Sequence, residues 1–505
     1  MKRKEFLRVS PESVGISSAA IHRLLDRLEC GFTEMHSLQI MRHGKICAEG
    51  WWSPYAPGIR HNLMSVSKTY AATAVGIAIT EGLISLSDRI VDIFPEESPA
   101  CPDGMLALLT VRDVLCMGCG MDSIPNPTVQ WIRDFIATPV CHTPGSTFMY
   151  NSMGSSLLGA IVKKTSGSGL HDYLKPRLFD KIGILADNLR WAYMPDGIEA
   201  GGAGLYAATE DNLRLMKLYA DGGVWDGERI LSEEYVKLAT SPQIDSSVEA
   251  LKAPFATDNF LGYGFQMWMC SPQGSYRADG AMGQYSIVLP RQNMLISINE
   301  TGRGIDGPQK TLDAVWAFIE DVSDTASLPE DKAAYASLQK RLSTLSLPRP
   351  PYRPYSAKAH LWSGKAYRVT GGVLRFENQT LSQFCGCRLS KGIQQFSIQF
   401  GASESLMQFV QDGEAHLVRI ATDGSRALNT LRILDEVATL ICLSGYWEDA
   451  STFVIKARWL ETSFEKDIRF SFLDNGHCNI STSDPLNSFG PMGELSEAPV
   501  TAIQM

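Results

Sequence analysis

The chain has 505 residues with 46 Lys and Arg against 55 Asp and Glu, a formal net charge of −9, and is 44% hydrophobic and 20% charged. That length asks for two or three domains, and the composition supplies apolar material for a large core. The acidic balance argues against a nucleic-acid partner, and no stretch of about 18 uncharged apolar residues is present to cross a membrane.

The basic start Met1-Lys2-Arg3-Lys4 is interrupted by Glu5 and Arg8 and leads into no apolar core, so no secretory leader is expected. Eleven cysteines, an odd number, then fit reduced thiols in the cytoplasm. Cys116 with Cys119, and Cys385 with Cys387, are close pairs. Neither has a second ligand pair at zinc-site spacing, so they read as small buried residues and no metal is expected.

In residues 11–30, Ile21, Leu24, Leu25 and Leu28 recur at helical spacing after Ser10-Pro11-Glu12-Ser13. Residues 37–41 read as a strand, Arg42-His43-Gly44-Lys45 as a turn, and 46–51 as the return strand. Trp51-Trp52, close to Tyr55, reads as an edge or core aromatic pair rather than a cleft wall. Residues 66–82 predict a long apolar helix buried on most sides. The region 100–230, rich in Gly, Pro and short helical patterns, reads as a helical cap. Strand patterns return at 264–268, 285–290 and 294–298, and 309–320 predicts a helix packing back on the sheet. Strands at both ends with helices between give an α+β layout with a mostly antiparallel sheet.

Residues 347–354 are Pro-dense and read as a semi-rigid extended linker. Beyond them, 395–400 and 468–472 alternate apolar and polar positions, and Asp412-Gly413 and Asp423-Gly424 read as turns. This pattern predicts a small all-β barrel or sandwich. The expected division is a first domain over 1–340, a linker over 341–357 and an all-β domain over 358–505. The last is expected either to restrict access to the site or to mediate assembly into a homo-oligomer.

The chemistry centres on Met64-Ser65-Val66-Ser67-Lys68. A Ser at the start of a helix and a Lys three residues on lie on one face, about one turn apart. A hydroxyl is a poor nucleophile until a neighbour takes its proton, and a buried Lys can do so because desolvation lowers its pKa. The helix N-terminus favours negative charge developing near Ser65. Ser67 has no such spacing to Lys68. A lone Ser-x-x-Lys arises by chance in most long chains, so its context matters. Tyr150-Asn151-Ser152 follows the turn Pro144-Gly145-Ser146-Thr147-Phe148, and its phenol is suited to bond Ser65 and Lys68 and relay a proton. Ala278-Asp279-Gly280-Ala281-Met282-Gly283 enters a strand; its glycines admit a substrate to the backbone, where an N–H can join that of Ser65 as an oxyanion hole. No Gly-x-Ser-x-Gly, P-loop or His-Glu-x-x-His pattern occurs. His142, the histidine nearest these segments, reads as a surface or supporting residue.

The order of these segments resembles the serine β-lactamase and penicillin-binding-protein family, especially its class C β-lactamase-like esterases and peptidases. Leu63-Met64-Ser65-Val66-Ser67-Lys68-Thr69-Tyr70 looks like the first family motif. Pro144-Gly145 through Tyr150-Asn151-Ser152-Met153-Gly154 looks like the second. Gly201-Gly202-Ala203-Gly204 and Gly222-Gly223-Val224-Trp225 fit glycine-rich family segments, and 111–121 fits a helix-and-loop segment in which Met117 and Cys119 replace the usual His and Ser. The likeness covers residues 10–320 and implies a β-lactamase/transpeptidase-like domain. It implies Ser65 as acylated nucleophile, Lys68 as base or base partner and Tyr150 as proton relay. Asn151, Ser152, Gly280 and Ala281 would line the substrate and oxyanion site, with the N–H groups of Ser65 and Ala281 as donors. No cofactor is required.

Two departures shape the expected substrate. In Tyr150-Asn151-Ser152, Ser152 stands in the third place of a motif that commonly reads Tyr-x-Asn, with Asn151 in the middle, and Ala278 stands where the family commonly has Lys or His. Without that cation an anionic substrate loses a partner, and Asp279 adds negative charge. The expectation is therefore a serine hydrolase acting through an acyl-enzyme on a small uncharged or amino-bearing ester or amide, a peptide included. A β-lactamase or DD-peptidase is the alternative within enzymes, and a non-catalytic binding protein on the same fold the alternative outside them.

Overall fold

His43 (φ 52°) and Gly44 (φ 71°) close the hairpin between strands Thr33–Arg42 and Lys45–Trp51. Two left-handed residues give the turn whose twist matches the paired strands. The structure, a computed structural model, describes residues 5–102, 104–377, 389–434, 437–483 and 499–505; the pair Cys385 and Cys387 lies outside the described residues. The chain falls into two compact units. One runs to Leu345 apart from Ser53–Tyr55; the other holds Ser53–Tyr55 and the described residues from Ser346 onward.

In the first unit, six antiparallel strands run in the order Lys45–Trp51, Thr33–Arg42, Met294–Gly302, Gln284–Leu289, Tyr276–Gly280, Trp268–Met269. Leu38 faces Ile298 and Ile40 faces Ile296, so the early hairpin pairs with the late strands, and the chain between them joins the two edges of the sheet. Successive strand residues point to opposite faces. Asn299 accepts a hydrogen bond from Thr209, at the start of helix Thr209–Ala220, while Glu300 accepts one from Thr311 in helix Gly307–Ile319. Helices therefore cover both faces. The first helix, Ser18–Leu28, is capped by Ser17 and separated by Gly15 (φ 77°) from a short turn Pro11–Val14, so the span 11–30 is two elements rather than one.

The apolar stretch expected at 66–82 is the helix Ser67–Thr80, buried along nearly its whole length. Its small residues admit close neighbours: a Cβ on Gly76 would lie 2.4 Å from the Tyr235 ring. The helix Ser152–Ser166 packs beside it. The strand expected at 264–268 shrinks to Trp268–Met269. Gln266, at φ 56°, leaves the strand and ties the cap together. Its carbonyl accepts from Thr69, its side-chain oxygen from Ser155, and its amide donates to Leu115 O. Period-2 patterning in the sequence is blind to such a polar hub.

The second unit resolves the choice between barrel and sandwich. Strands Glu414–Ala421, Glu404–Gln411, Ile393–Gln399, Ala366–Gly371, Val500–Gln504, His477–Ser483, Glu465–Phe472, Thr452–Trp459 and Leu440–Trp447 follow one another. A parallel pairing of Ala421 with Ser444 joins the last to the first, closing a nine-stranded barrel. The short strand Ala427–Thr430 pairs with the start of Leu440–Trp447 beside this closing contact. Asp412 (φ 53°) and Gly413 (φ 85°) form one of its tight turns, as the sequence predicts. Among the described residues no helix is long and apolar enough to cross a membrane.

Candidate active site

Ser65 sits on a turn held from several directions. Strand His61–Asn62 pairs with Leu205–Ala207, and Leu63 N–H donates to Leu205 O. Met64 then takes φ 49°, a left-handed conformation that a residue with a Cβ keeps only when its surroundings enforce it. Its N–H donates to Asn62 Oδ1 at 3.0 Å. One short turn, Met64–Val66, leads into helix Ser67–Thr80. Ser67 is sealed inside: its hydroxyl donates to Met64 O and accepts from Leu205 N–H. Ser65 stays partly open to solvent.

Lys68 is 1% exposed. Its Nζ donates to Ser65 Oγ at 2.9 Å and to Gly202 O at 2.5 Å, and lies 4.9 Å from the Tyr150 ring centroid. Gly202 can present that carbonyl because it lacks a side chain: a Cβ there would lie 2.4 Å from Ser152 O. Tyr150 stacks on Trp268 at 5.6 Å and meets Tyr263 edge-on at 6.4 Å. Burial pushes its phenol well above the usual range, against the pull of a hydrogen bond with Ser65; Asp279 and Glu249 push it further up. At neutral pH this hydroxyl keeps its proton.

Asn151 is fully buried and caps helix Ser152–Ser166, accepting Gly154 N–H at 2.9 Å. Its own N–H points to Met117 Sδ at 3.1 Å, and its amide nitrogen faces Met121 Sδ. The carboxamide is thus committed within the fold, whereas Ser152 is half-buried beside Gly202.

Gly280 brings the third segment against the first, since a Cβ there would lie 2.2 Å from Leu63 O. Ala281, half-buried, starts the turn that Gly283 N–H closes on Gly280 O. Among the described residues, neither Ser65 N–H nor Ala281 N–H donates to a protein acceptor. Ala278 is fully buried in the strand. Asp279 differs from the bare negative charge that the sequence suggests. Its Oδ2 accepts from Nε of the buried Arg277 at 2.7 Å, so burial, which raises its pKa, is opposed by a paired cation.

The remaining residues singled out lie elsewhere. His142 is exposed and bonded to Asp122 at 2.8 Å. Cys116 and Cys119 are buried free thiols; burial pushes Cys116 up to about 12 and Cys119 higher still. Trp52 is buried, with its indole N–H on Glu29. Sequence reasoning missed Asn62, Trp268 and the Gly202 carbonyl. The glycines at 201, 202 and 204 were the one visible hint, since close backbone approach needs such residues.

The sequence model of the Beta-lactamase family matches residues 25–317, more than half of the chain. The chain belongs to the beta-lactamase family. Ser65, Lys68, Tyr150, Gly202 and Gly280 all fall inside the matched span. The 6-aminohexanoate-dimer hydrolase of Paenarthrobacter ureafaciens is 24% identical over 279 residues, 51% of this chain and 70% of that one. An Escherichia coli (strain K12) protein provisionally named as a D-alanyl-D-alanine carboxypeptidase is 23% identical over 313 residues, 50% of this chain and 72% of its own. Among solved structures, one from Bacillus anthracis, provisionally named as a 6-aminohexanoate-dimer hydrolase, superposes with a TM-score of 0.51 at 16% identity. It covers 65% of this chain and 90% of that one, which is a likeness of fold. The named relatives are hydrolases, and this family membership makes the chain a beta-lactamase-like hydrolase.

Proposed function

We propose that the protein is a serine hydrolase that forms an acyl-enzyme on Ser65 with a small ester or amide. The observation that carries this reading is the buried Lys68 Nζ, 2.9 Å from Ser65 Oγ and 4.9 Å from the centroid of the Tyr150 ring. With one ammonium proton shed, the Nζ lone pair faces Oγ and takes its proton as Oγ bonds the substrate carbonyl carbon. The carbonyl π electrons pass to oxygen, and the N–H groups of Ser65 and Ala281 receive the charge in this reading. Collapse expels the leaving group, which takes a proton from the Tyr150 hydroxyl; Lys68 returns that proton to the phenol. Water then repeats the sequence in reverse and frees the acid. A phenol whose burial favours its protonated form suits this donor role.

The buried Ala278 leaves the strand beside Ser65 without the cation that would hold a substrate carboxylate, and Arg277 is already paired with Asp279. This favours uncharged or amino-bearing substrates over β-lactams and cell-wall peptides ending in a free carboxylate. Every described cysteine is a free thiol, which supports a reducing, cytoplasmic setting.

The test is intact-mass labelling with a fluorophosphonate, followed by turnover of p-nitrophenyl acetate and of nitrocefin. One adduct on Ser65, lost in Ser65→Ala, is expected, with kcat for the ester falling by at least about a thousandfold in that variant. Ester turnover should exceed nitrocefin turnover. An adduct elsewhere, or Ser65→Ala hydrolysing at the native rate, would remove the proposal.

A further inference from the structure

Asn62 is 2% exposed, and its carboxamide joins two segments that must meet for the contact between Ser65 and Lys68 to form. Oδ1 accepts the N–H of Met64, the left-handed residue just before the nucleophile, at 3.0 Å. Nδ2 donates to Ala203 O at 3.4 Å, and Ala203 directly follows the glycine whose carbonyl anchors Lys68. One side chain therefore spaces the nucleophile turn from the lysine's anchor.

Asn62 is itself braced. His61 Nδ1 donates to Asn62 O at 2.8 Å, and His61 Nε2 shares a 3.0 Å hydrogen bond with His36 Nδ1. Both rings are buried. His36 Nε2 lies 3.4 Å from both Glu34 Oε1 and Thr301 Oγ1, and Glu34 pairs with Arg303 at 3.2 Å. The hydrogens can be counted. Donation to the Asn62 carbonyl fixes one, and the bond between the rings holds a second. Two neutral imidazoles carry these two and leave His36 Nε2 to accept from Thr301; a third proton makes that nitrogen a donor to Glu34. Both states keep the bond to Asn62, so the brace survives either one.

We infer that Asn62, braced by His36 and His61, is a positioning residue: it holds the strained Met64 turn that aims Ser65 at Lys68. The inference rests on the acyl-transfer reading of Ser65. It gives a buried polar cluster outside the reacting groups a role in rate rather than only in folding.

Two variants of the full chain test it. Asn62→Leu, of similar volume, removes both hydrogen bonds, whereas Asn62→Asp keeps the acceptor for Met64 N–H. Amide hydrogen exchange across residues 61–68 and fluorophosphonate labelling of Ser65 are followed together, with melting temperature as a control. In Asn62→Leu the Met64 amide should exchange about tenfold faster, and labelling rate and kcat should fall about tenfold or more while KM stays within about twofold. Asn62→Asp should lie between this variant and the native chain. If Asn62→Leu cannot be purified folded, Asn62→Ser replaces it with the same expectations. Faster exchange with unchanged labelling and kcat would overturn the positioning role, and unchanged exchange would overturn the strut itself. Native protein never labelled at Ser65 would instead defeat the acyl-transfer reading, while the exchange arm still reports on the strut.

Discussion

The two units put their buried polar side chains to different uses. In the α+β unit, Lys68, Asn62, His36, His61, Arg277 and Glu300 are all nearly inaccessible to water. The barrel's interior is rich in rings: Tyr367 stacks on Phe396 at 5.4 Å, Phe396 meets Phe470 edge-on at 5.1 Å, and Trp447 lies 5.3 Å from Phe453. The barrel buries carboxylates as well: Glu461 accepts from Leu440 N–H at 2.8 Å, Glu377 accepts from Gln411 Nε2 at 3.1 Å, and Glu465 pairs with Arg458. In the first unit the buried Lys68 meets the Ser65 hydroxyl, which solvent can reach, and the buried Asn62 holds the turn just before it. Desolvating polar groups costs free energy unless each is satisfied. An aromatic core specifies a fold by packing alone, whereas a polar one can also set proton positions.

Replacing the central cation breaks this comparison most sharply. Lys68→Met, similar in length and apolar, should lower kcat about a thousandfold, within the range for loss of a positioned acid–base group. KM should change little, as steady-state kinetics on the ester would show, and the melting temperature should hold or rise because a buried charge is gone. A fall in stability with kcat intact would make Lys68 structural, like Glu461.

A ring deletion in the barrel is the converse. Phe470→Ala leaves a cavity among Phe396, Phe472 and their neighbours and should cost about 3–5 kcal/mol, read from denaturant unfolding. The rate of Ser65 labelling under native conditions should be unchanged. A matching loss of labelling would tie the barrel's packing to the chemistry.

The smallest effect concerns Glu300, whose carboxyl burial pushes up to about 8 against hydrogen bonds from Thr311 and Thr33. The folded chain holds this proton more tightly than the unfolded chain does. The stability contributed is therefore complete below the ordinary carboxyl pKa of 4.5 and is lost as pH rises through about 8. Melting temperatures at pH 5.5 and 8.5 should fall in the native chain and fall less in Glu300→Gln. An equal fall in both would assign the slope to other groups.

Much of this organisation was legible. Ser-x-x-Lys spacing, the buried helix after it, the hairpin at His43-Gly44 and the turn at Asp412-Gly413 are local, because helix pitch and turn dihedrals link residues a few positions apart. The strand expected at 264–268 failed because Gln266 bonds to three helices that no local pattern reports. The motif singles out Asn151, while only the structure shows that its carboxamide oxygen caps a helix.

By itself the sequence determined the order of the segments, the family they belong to, the pairing of Ser65 with Lys68 and the all-β character of the second unit. Only the tertiary structure decided that Lys68 rests on Gly202, that Asp279 is matched by Arg277, that Asn62 reaches both Met64 and Ala203, and that the second sheet closes. Each of these joins groups brought together by folding across the chain or through a side-chain direction. Hydrogen bonds depend on ångström-scale placement, and a one-dimensional pattern of residue types carries no such distances.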